Sequence, residues 1–266
     1  MSIPKNIYQT HKSINYINTK PKLVKAIKSW VKHTKEFNYF FYNNQMCDDF
    51  IKNNFDENVY KAYSMLPMPV MKADLWRYCI IYKYGGIYAD TDTVCKINPN
   101  IFINDSLLTL SPENGTSYFC QWTFSAPANS PILKSIIDLS VERILNTPIK
   151  GEHIIHYLTG PALFTDGIEK YLIENNYPVF ENRQNYVNYP VSILKVFKPK
   201  TFHENFINHL FAGNDDDGWK NERYGKLCYT IYIYYDLPIN FHNNQPFYFY
   251  YVHLNKSYNF LKLNIH

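Results

Sequence analysis

The chain of 266 residues lacks most of what several protein classes require. It has no run of lysines and arginines, and its formal net charge is only +4. A nucleic-acid-binding surface needs denser, clustered cations. Its five cysteines, Cys47, Cys79, Cys95, Cys120 and Cys228, are odd in number, widely spaced and without a Cys-x-x-Cys pair. That argues against a disulfide framework and a thiolate zinc site, and it fits a reducing compartment. The opening "MSIPKNIYQTHKS" has no apolar core of the signal-peptide kind, and no window approaches a membrane span. The expected setting is soluble and cytoplasmic. The sequons at Asn114 and Asn255 then read as chance in an asparagine-rich chain. Internal repeats and Gly/Ser linkers are also missing.

What the chain has is apolar and aromatic. Hydrophobic residues make up 46% and aromatics 18%, enough to bury one sizeable core or two small ones. "KNIYQT" and the aromatic "FNYFFYN" read as strands. "KLVKAIKSWVKH" carries Leu23, Val24, Ile27, Trp30 and Val31 at helical spacing. "MCDDFIKNNF" and "ENVYKAYSML" continue the alternation as helices. Strands alternating with helices predict an α/β layer fold with a single, mostly parallel central sheet flanked by helices.

"PMPVMKADLWRYCIIYKYGG" is the clearest element. Pro67 and Pro69 stand where a helix begins, and Gly85 and Gly86 where it is capped. Leu75, Tyr78, Cys79 and Tyr82 mark an apolar face. Asp74 and Arg77, three apart, share a helix face, where an ordinary surface salt bridge is the plain reading. "IYA" then reads as a short buried strand, directly followed by Asp90 and Asp92. In an extended segment residues i and i+2 point the same way, so the two carboxylates would stand side by side and raise each other's pKa unless something positive neutralises them. A divalent cation bridging them to a diphosphate resolves that repulsion, because hard cations take carboxylate and phosphate oxygens together. Ligands of open α/β sheets bind at such strand ends.

"MKADLWRYCIIYKYGGIYADTD" resembles the signature of glycosyltransferase family 32, the DXD-containing sugar transferases whose core is shared with the glucosylating domain of large clostridial toxins. Asp74, Arg77, Gly85, Gly86, Tyr88, Asp90 and Asp92 meet its Asp-x-x-Arg, Gly-Gly-x-Tyr-x-Asp-x-Asp pattern. "IPKNIYQTH" is similar to its opening strand, with Tyr8 and His11 where the family prefers His and Trp. "TGPALFTDGI" (159–168) and "HLFAGNDDDGW" (209–219) resemble two later blocks. The resemblance covers about residues 3–225.

The resemblance implies a GT-A fold, a nucleotide-sugar donor, Mn²⁺ or Mg²⁺, and transfer with retention of configuration. It implies catalytic roles for Asp74, Arg77 and Asp90, with Asp74 and Arg77 on donor-sugar hydroxyls. It places Asp90 at the ribose, the sugar and the metal, and Asp92 as a direct metal ligand. Tyr88, Gln9, Thr10 and Trp219 would complete the donor site. In the altered closing block, His209, Asp217 and Asn214 are candidate metal ligands. Gln121 and Trp122 face either the bound sugars or the core. Gly160 and Pro161 open a helix toward the sugar site or form a plain turn. His153 and His156 read as structural. A UDP-sugar is favoured over GDP-mannose as donor, with a glycan or other hydroxyl compound as acceptor.

Residues 1–235 are read as the transferase domain and 236–266, with "FYFYYV", as an aromatic extension packed on it. Three readings compete. A metal-dependent phosphohydrolase or nucleotidyltransferase needs carboxylates for a second metal. A glycosidase needs two carboxylates flanking a sugar ring, and Asp90 and Asp92 are too close in sequence for that. An inactive sugar-nucleotide-binding module would keep the same residues without turnover. No residue is a clear nucleophile, so same-face attack is preferred over a covalent intermediate.

Overall fold

The computed structural model describes residues 2–115, 117–151 and 153–214. In chain order its elements begin with β1 (Asn6–Thr10), α1 (Ile14–Asn18), α2 (Pro21–Val31) and β2 (Asn38–Tyr42). Then come α3 (Asn44–Asn54), α4 (Glu57–Met65), α5 (Pro69–Tyr84), β3 (Gly86–Ala89) and β4 (Thr93–Cys95). After them follow β5 (Leu108–Leu110), β6 (Thr123–Ala126), α6 (Pro131–Asn146), α7 (Ile154–Leu158) and α8 (Pro161–Glu174). Strands β7 (Leu194–Val196) and β8 (Ile207–His209) close the described region.

Local chemistry sets these boundaries. Helices α2, α5, α6 and α8 each open on a proline, whose missing N–H falls where no helical partner exists. Asn43 caps α3 through the Met46 N–H, and Asp56 caps α4 through Asn58 and Val59. Gly85, at φ +66°, ends α5, donating to the Ile81 carbonyl at 2.8 Å.

The central sheet has six strands in the order β2-β1-β3-β6-β5-β7. The ladders β1–β2, β1–β3 and β5–β7 are parallel, while β6 runs antiparallel to both its neighbours. A separate two-stranded ribbon pairs β4 with β8, an element the sequence reading did not contain. Strand alternation divides the core between the two faces. Ile7 and Ile87, in register, pack with Ile27, Trp30 and Phe102 on the α2 side. Tyr8 and Tyr88, also in register, pack with Trp76, Phe124 and Leu133 on the side of α3–α6 and α8. Helix α5 lies inside that second layer, buried from Asp74 through Ile81, so the single apolar face expected of it is really a buried girdle. The surface reading of the Asp74–Arg77 pair fails for the same reason: the two residues are 2% and 4% exposed.

The turn from α5 into β3 has room only for glycine. Gly86 sits at φ +122°, and a Cβ there would lie 2.7 Å from the Asn6 carbonyl oxygen and 2.9 Å from the Asn6 Cβ. Gly86→Ala is therefore expected to lower unfolding free energy by about 2–3 kcal/mol, from positive φ and overlap together. Gly115→Ala, with open space around it, should change stability by less than about 0.5 kcal/mol. Urea titrations of both variants check the difference.

The segment 236–266, together with Asp217, Trp219 and Cys228, lies outside the described residues.

Candidate active site

Strand β3 runs out at Ala89, and the chain turns at once. The Asp90 N–H donates to the Trp122 carbonyl at 2.8 Å, and the Thr93 N–H closes back on the Asp90 carbonyl at 3.1 Å. Asp90 and Asp92 thus lie within a turn and not an extended segment, which corrects the reason given above for their proximity. Beyond the turn, β4 pairs with β8, and Thr93 stands opposite His209. The turn and the ribbon together aim both carboxylates and an imidazole at one point.

Asp90 meets α5. Arg77 Nη2 lies 3.2 Å from Asp90 Oδ1 and 2.9 Å from Asp74 Oδ1, so one guanidinium serves two carboxylates. The Tyr88 hydroxyl donates to the same Asp90 oxygen, and the Arg77 Cζ stands 4.6 Å from the Tyr88 ring centroid. Burial pushes Asp90 above the usual carboxylate range, with Arg77 opposing and Asp92 adding to the shift. Burial likewise lifts Asp74 to about 7 against the pull of Arg77. Burial opposes the charge on Arg77 as well, but Asp90 and Asp74 outweigh it and the guanidinium stays cationic.

Asp92 behaves differently. Burial again acts to raise its pKa, yet His209 and the Ala212 N–H outweigh it and hold the carboxyl below its ordinary value. Asp90 is raised in part by Asp92, whereas the His209 and Ala212 partners keep Asp92 itself from rising. His209 Nε2 lies 3.3 Å from Asp92 Oδ1, Ala212 N–H donates to Oδ2 at 2.9 Å, and Leu210 N–H donates to the Asp92 carbonyl at 2.9 Å. The last residue of β8 and the stretch after it therefore meet Asp92 on three atoms. One ligand atom each from Asp90, Asp92 and His209 can be chosen so that all lie within 4.8 Å of one another. His209 Nδ1 is buried with no hydrogen-bond partner. Two carboxylates with one imidazole are a donor set that fits a divalent cation. Asn214 closes a short helical turn after β8, and Asp217 lies outside the described residues.

The remaining predicted residues divide by depth. Arg77, Tyr88, Asp90, Asp92 and Thr10 line a cleft of about 630 Å³, walled on one side by His11 to Leu23 and on the other by Met68 to Ala73. Asp74 and Gln9 do not line it. Asp74 is occupied on both oxygens: Gln121 Nε2 donates to Oδ1 and Thr159 Oγ1 to Oδ2, each at 3.2 Å. Gln9 is fully buried beneath the turn, donating to the Asp90 carbonyl at 3.0 Å while accepting from the Tyr39 hydroxyl at 2.7 Å. Gln121 also accepts from the Tyr78 hydroxyl. The Trp122 ring centroid stands 4.8 Å from that of His209. Both therefore belong to the frame of the site. Thr159 was missed; the "TGP" block that holds it was the available signal. Pro161 does open α8, one residue after the glycine N-cap. His153 and His156 are exposed, 6.4 Å apart between ring centroids.

His11 supplies a pH test. Its ring stacks on Tyr16 at 5.1 Å, and its Nδ1 is buried without a partner. Burial, and then Lys12, lower its pKa to about 4, against a raising influence from Asp92. Between about 6.5 and 4 the unfolded chain binds a proton that the folded chain refuses, so stability falls as pH drops through that window. His11→Phe should remove on the order of 2 kcal/mol of that fall. The difference between wild-type and variant urea midpoints, taken from pH 7 to pH 4, is the measurement.

Residues 20–109 match the family model described as glycosyltransferase sugar-binding region containing DXD motif. That region carries Asp74, Arg77, Asp90 and Asp92, so this part of the chain is similar to the DXD-containing sugar transferases. It is 27% identical to an initiation-specific alpha-1,6-mannosyltransferase of Candida albicans, over 69% of this chain and 57% of that one. It is also 27% identical to the Schizosaccharomyces pombe protein of the same name, over 83% of this chain and 64% of that one. An uncharacterized glycosyltransferase of Acanthamoeba polyphaga mimivirus is 24% identical over 73% of this chain and 80% of its own. Among solved structures, the PaToxG glycosyltransferase overlaps 65% of this chain and 70% of that chain at 18% identity, with a TM-score of 0.48. The DXD chain thus spans less than two thirds of the two fungal mannosyltransferases it matches. Among its described residues, no helix is long and apolar enough to cross a membrane.

Proposed function

We propose that this chain is a GT-A type, metal-dependent glycosyltransferase that moves a hexose from a nucleotide-diphosphate sugar to a hydroxyl acceptor with retention of configuration. The observation that carries the reading is the convergence of Asp90, Asp92 and His209 beside Arg77 on a cleft sized for a nucleotide sugar. Those three residues would hold the ion. The names of the fungal relatives favour mannose, so GDP-mannose is placed ahead of the UDP-sugars that the sequence reading favoured.

When bound, the cation, Mn²⁺ ahead of Mg²⁺ because imidazole is the softer donor, stabilises charge on the leaving diphosphate. The chain's own residues do the rest. Asp92, kept ionised by His209 and Ala212, is a ready anionic ligand. Arg77 brings a fixed cation to the cleft floor, where Asp74 and Tyr88 keep it from swinging away. Cleft walls formed by the 11–23 and 68–73 segments orient the donor and limit water. Of the described carboxylates only Asp90 and Asp92 line the cleft, and no third one stands ready as a nucleophile. Same-face attack of the acceptor hydroxyl follows as the preferred route. A covalent sugar adduct on any side chain would refute it.

A phosphohydrolase or nucleotidyltransferase would need ligands for a second ion, and the described residues supply one cluster. A reducing, cytoplasmic setting fits the four described cysteines, all free and buried. The test is a thermal-shift panel of GDP, UDP and their sugars with and without Mn²⁺, followed by product analysis. One nucleotide sugar should raise the midpoint only with metal and yield transferred sugar with an acceptor glycan. Stabilisation without any turnover would leave a binding module, and nucleotide-sugar cleavage at the phosphate would favour the hydrolase.

A further inference from the structure

The Asp90 carbonyl is held by more donors than a turn needs. The Thr93 N–H closes the turn at 3.1 Å, the Thr93 hydroxyl donates to the same oxygen at 2.6 Å, and Gln9 Nε2 reaches it from β1 at 3.0 Å. Trp30, from α2, donates its indole N–H to the Thr93 carbonyl at 3.0 Å and its hydroxyl at 3.1 Å. Gln9, Trp30 and Thr93 are all fully buried. The carbonyl can only accept, so the amide NH₂ of Gln9 must face it and the amide oxygen must face Tyr39. The Tyr39 hydroxyl donates to that oxygen at 2.7 Å, and burial pushes its pKa far up, so it keeps its proton. Three elements distant in sequence therefore converge on the underside of one turn. Packing alone would be served by apolar side chains, which leave no buried polar atoms to satisfy.

We propose that Gln9, oriented by Tyr39, is a positioning residue that fixes the Asp90–Thr93 turn in its metal-ready shape before the ion arrives. The two carboxylates repel, and without the clamp the turn relaxes toward wider separation. The proposal rests on the reading of Asp90, Asp92 and His209 as the metal site. It moves Gln9 from a donor contact to a support for the ligands.

The test is titration of the full chain with Mn²⁺ alone, followed by calorimetry, for wild type, Gln9→Met and Tyr39→Phe, with circular dichroism and urea midpoints as the check on folding. Gln9→Met keeps the shape and loses the donor, and it should weaken Mn²⁺ binding at least about tenfold. Tyr39→Phe frees the amide to rotate and should weaken it about threefold. Excess Mn²⁺ should restore turnover in both. Should Gln9→Met fail to fold, Tyr39→Phe carries the measurement. Unchanged Mn²⁺ affinity in folded variants overturns the clamp while the metal site stands. A wild type that does not bind Mn²⁺ overturns both. A lowered urea midpoint with wild-type affinity shows that Gln9 supports the fold only, which also overturns the proposal.

Discussion

Asp92→Asn is expected to abolish transfer, with kcat/KM for the nucleotide sugar falling by on the order of 10³ or more. The geometry makes this a clean substitution. The Ala212 N–H can still donate to an amide oxygen in the position of Oδ2, and the amide NH₂ then faces His209 Nε2, which accepts in its neutral form. The wrap of the 209–212 segment survives, so the thermal midpoint without ligand should move little. What is lost is the carboxylate charge that His209 and Ala212 hold in place. Mn²⁺ should then no longer promote the nucleotide-sugar shift. Asp138→Asn, in an exposed pair with Lys134, should leave both readouts unchanged. If Asp92→Asn keeps more than about a tenth of wild-type activity, the metal-dependent reading fails.

The parts of this site legible in the sequence are those fixed by local rules. Helix α5 announces itself through Pro69 at its first position and Gly85 at its end, because both residues act within one or two positions of themselves. The Asp-x-x-Arg spacing gave the Asp74–Arg77 pairing, but helix periodicity does not say what packs over a face, so the pair's burial was invisible. The Asp90–Asp92 turn was misread for a related reason. Whether two residues after a strand stay extended depends on partners such as Gln9 and Trp122, contributed by β1 and by the approach to β6. The wrap of Asp92 by Ala212 joins positions 120 apart, a distance at which no spacing rule operates. His209 was reachable only through the resemblance of the closing block, which did not give its pairing opposite Thr93. Thr159 shows the same limit: the "TGP" block was recognised, yet its hydroxyl's contact with Asp74 needs the packed helix to be seen.

Arg77→Met should be the most destabilising single change at the site, and its effect should depend on pH. Arg77 is the cation between the buried Asp74 and the half-buried Asp90, and removing it leaves both carboxylates uncompensated. Breaking a buried pair from one side costs about 3–5 kcal/mol, because the Asp74 charge that remains has no water to replace its partner. The pH dependence follows from the direction of the shifts. Asp74 already stands at about 7 and Asp90 is raised, both by burial, and without the opposing guanidinium both move further up. A folded-state pKa above the unfolded value means that the native state binds more protons between the two. In that window stability falls as pH rises. The deficit of Arg77→Met should therefore be largest near pH 8 and shrink toward pH 5, where the carboxylates become neutral. Wild type, with Arg77 in place, should show a shallower slope over the same range. Parallel urea titrations at four or five pH values measure this. A deficit that stays constant with pH would show that Arg77 contributes packing alone. Activity adds a second readout, since Arg77→Lys keeps a charge but cannot span Asp74 and Asp90 with one planar fork. That variant should recover part of the stability and little of the turnover, separating the guanidinium's role as a buried counter-ion from its role at the cleft floor.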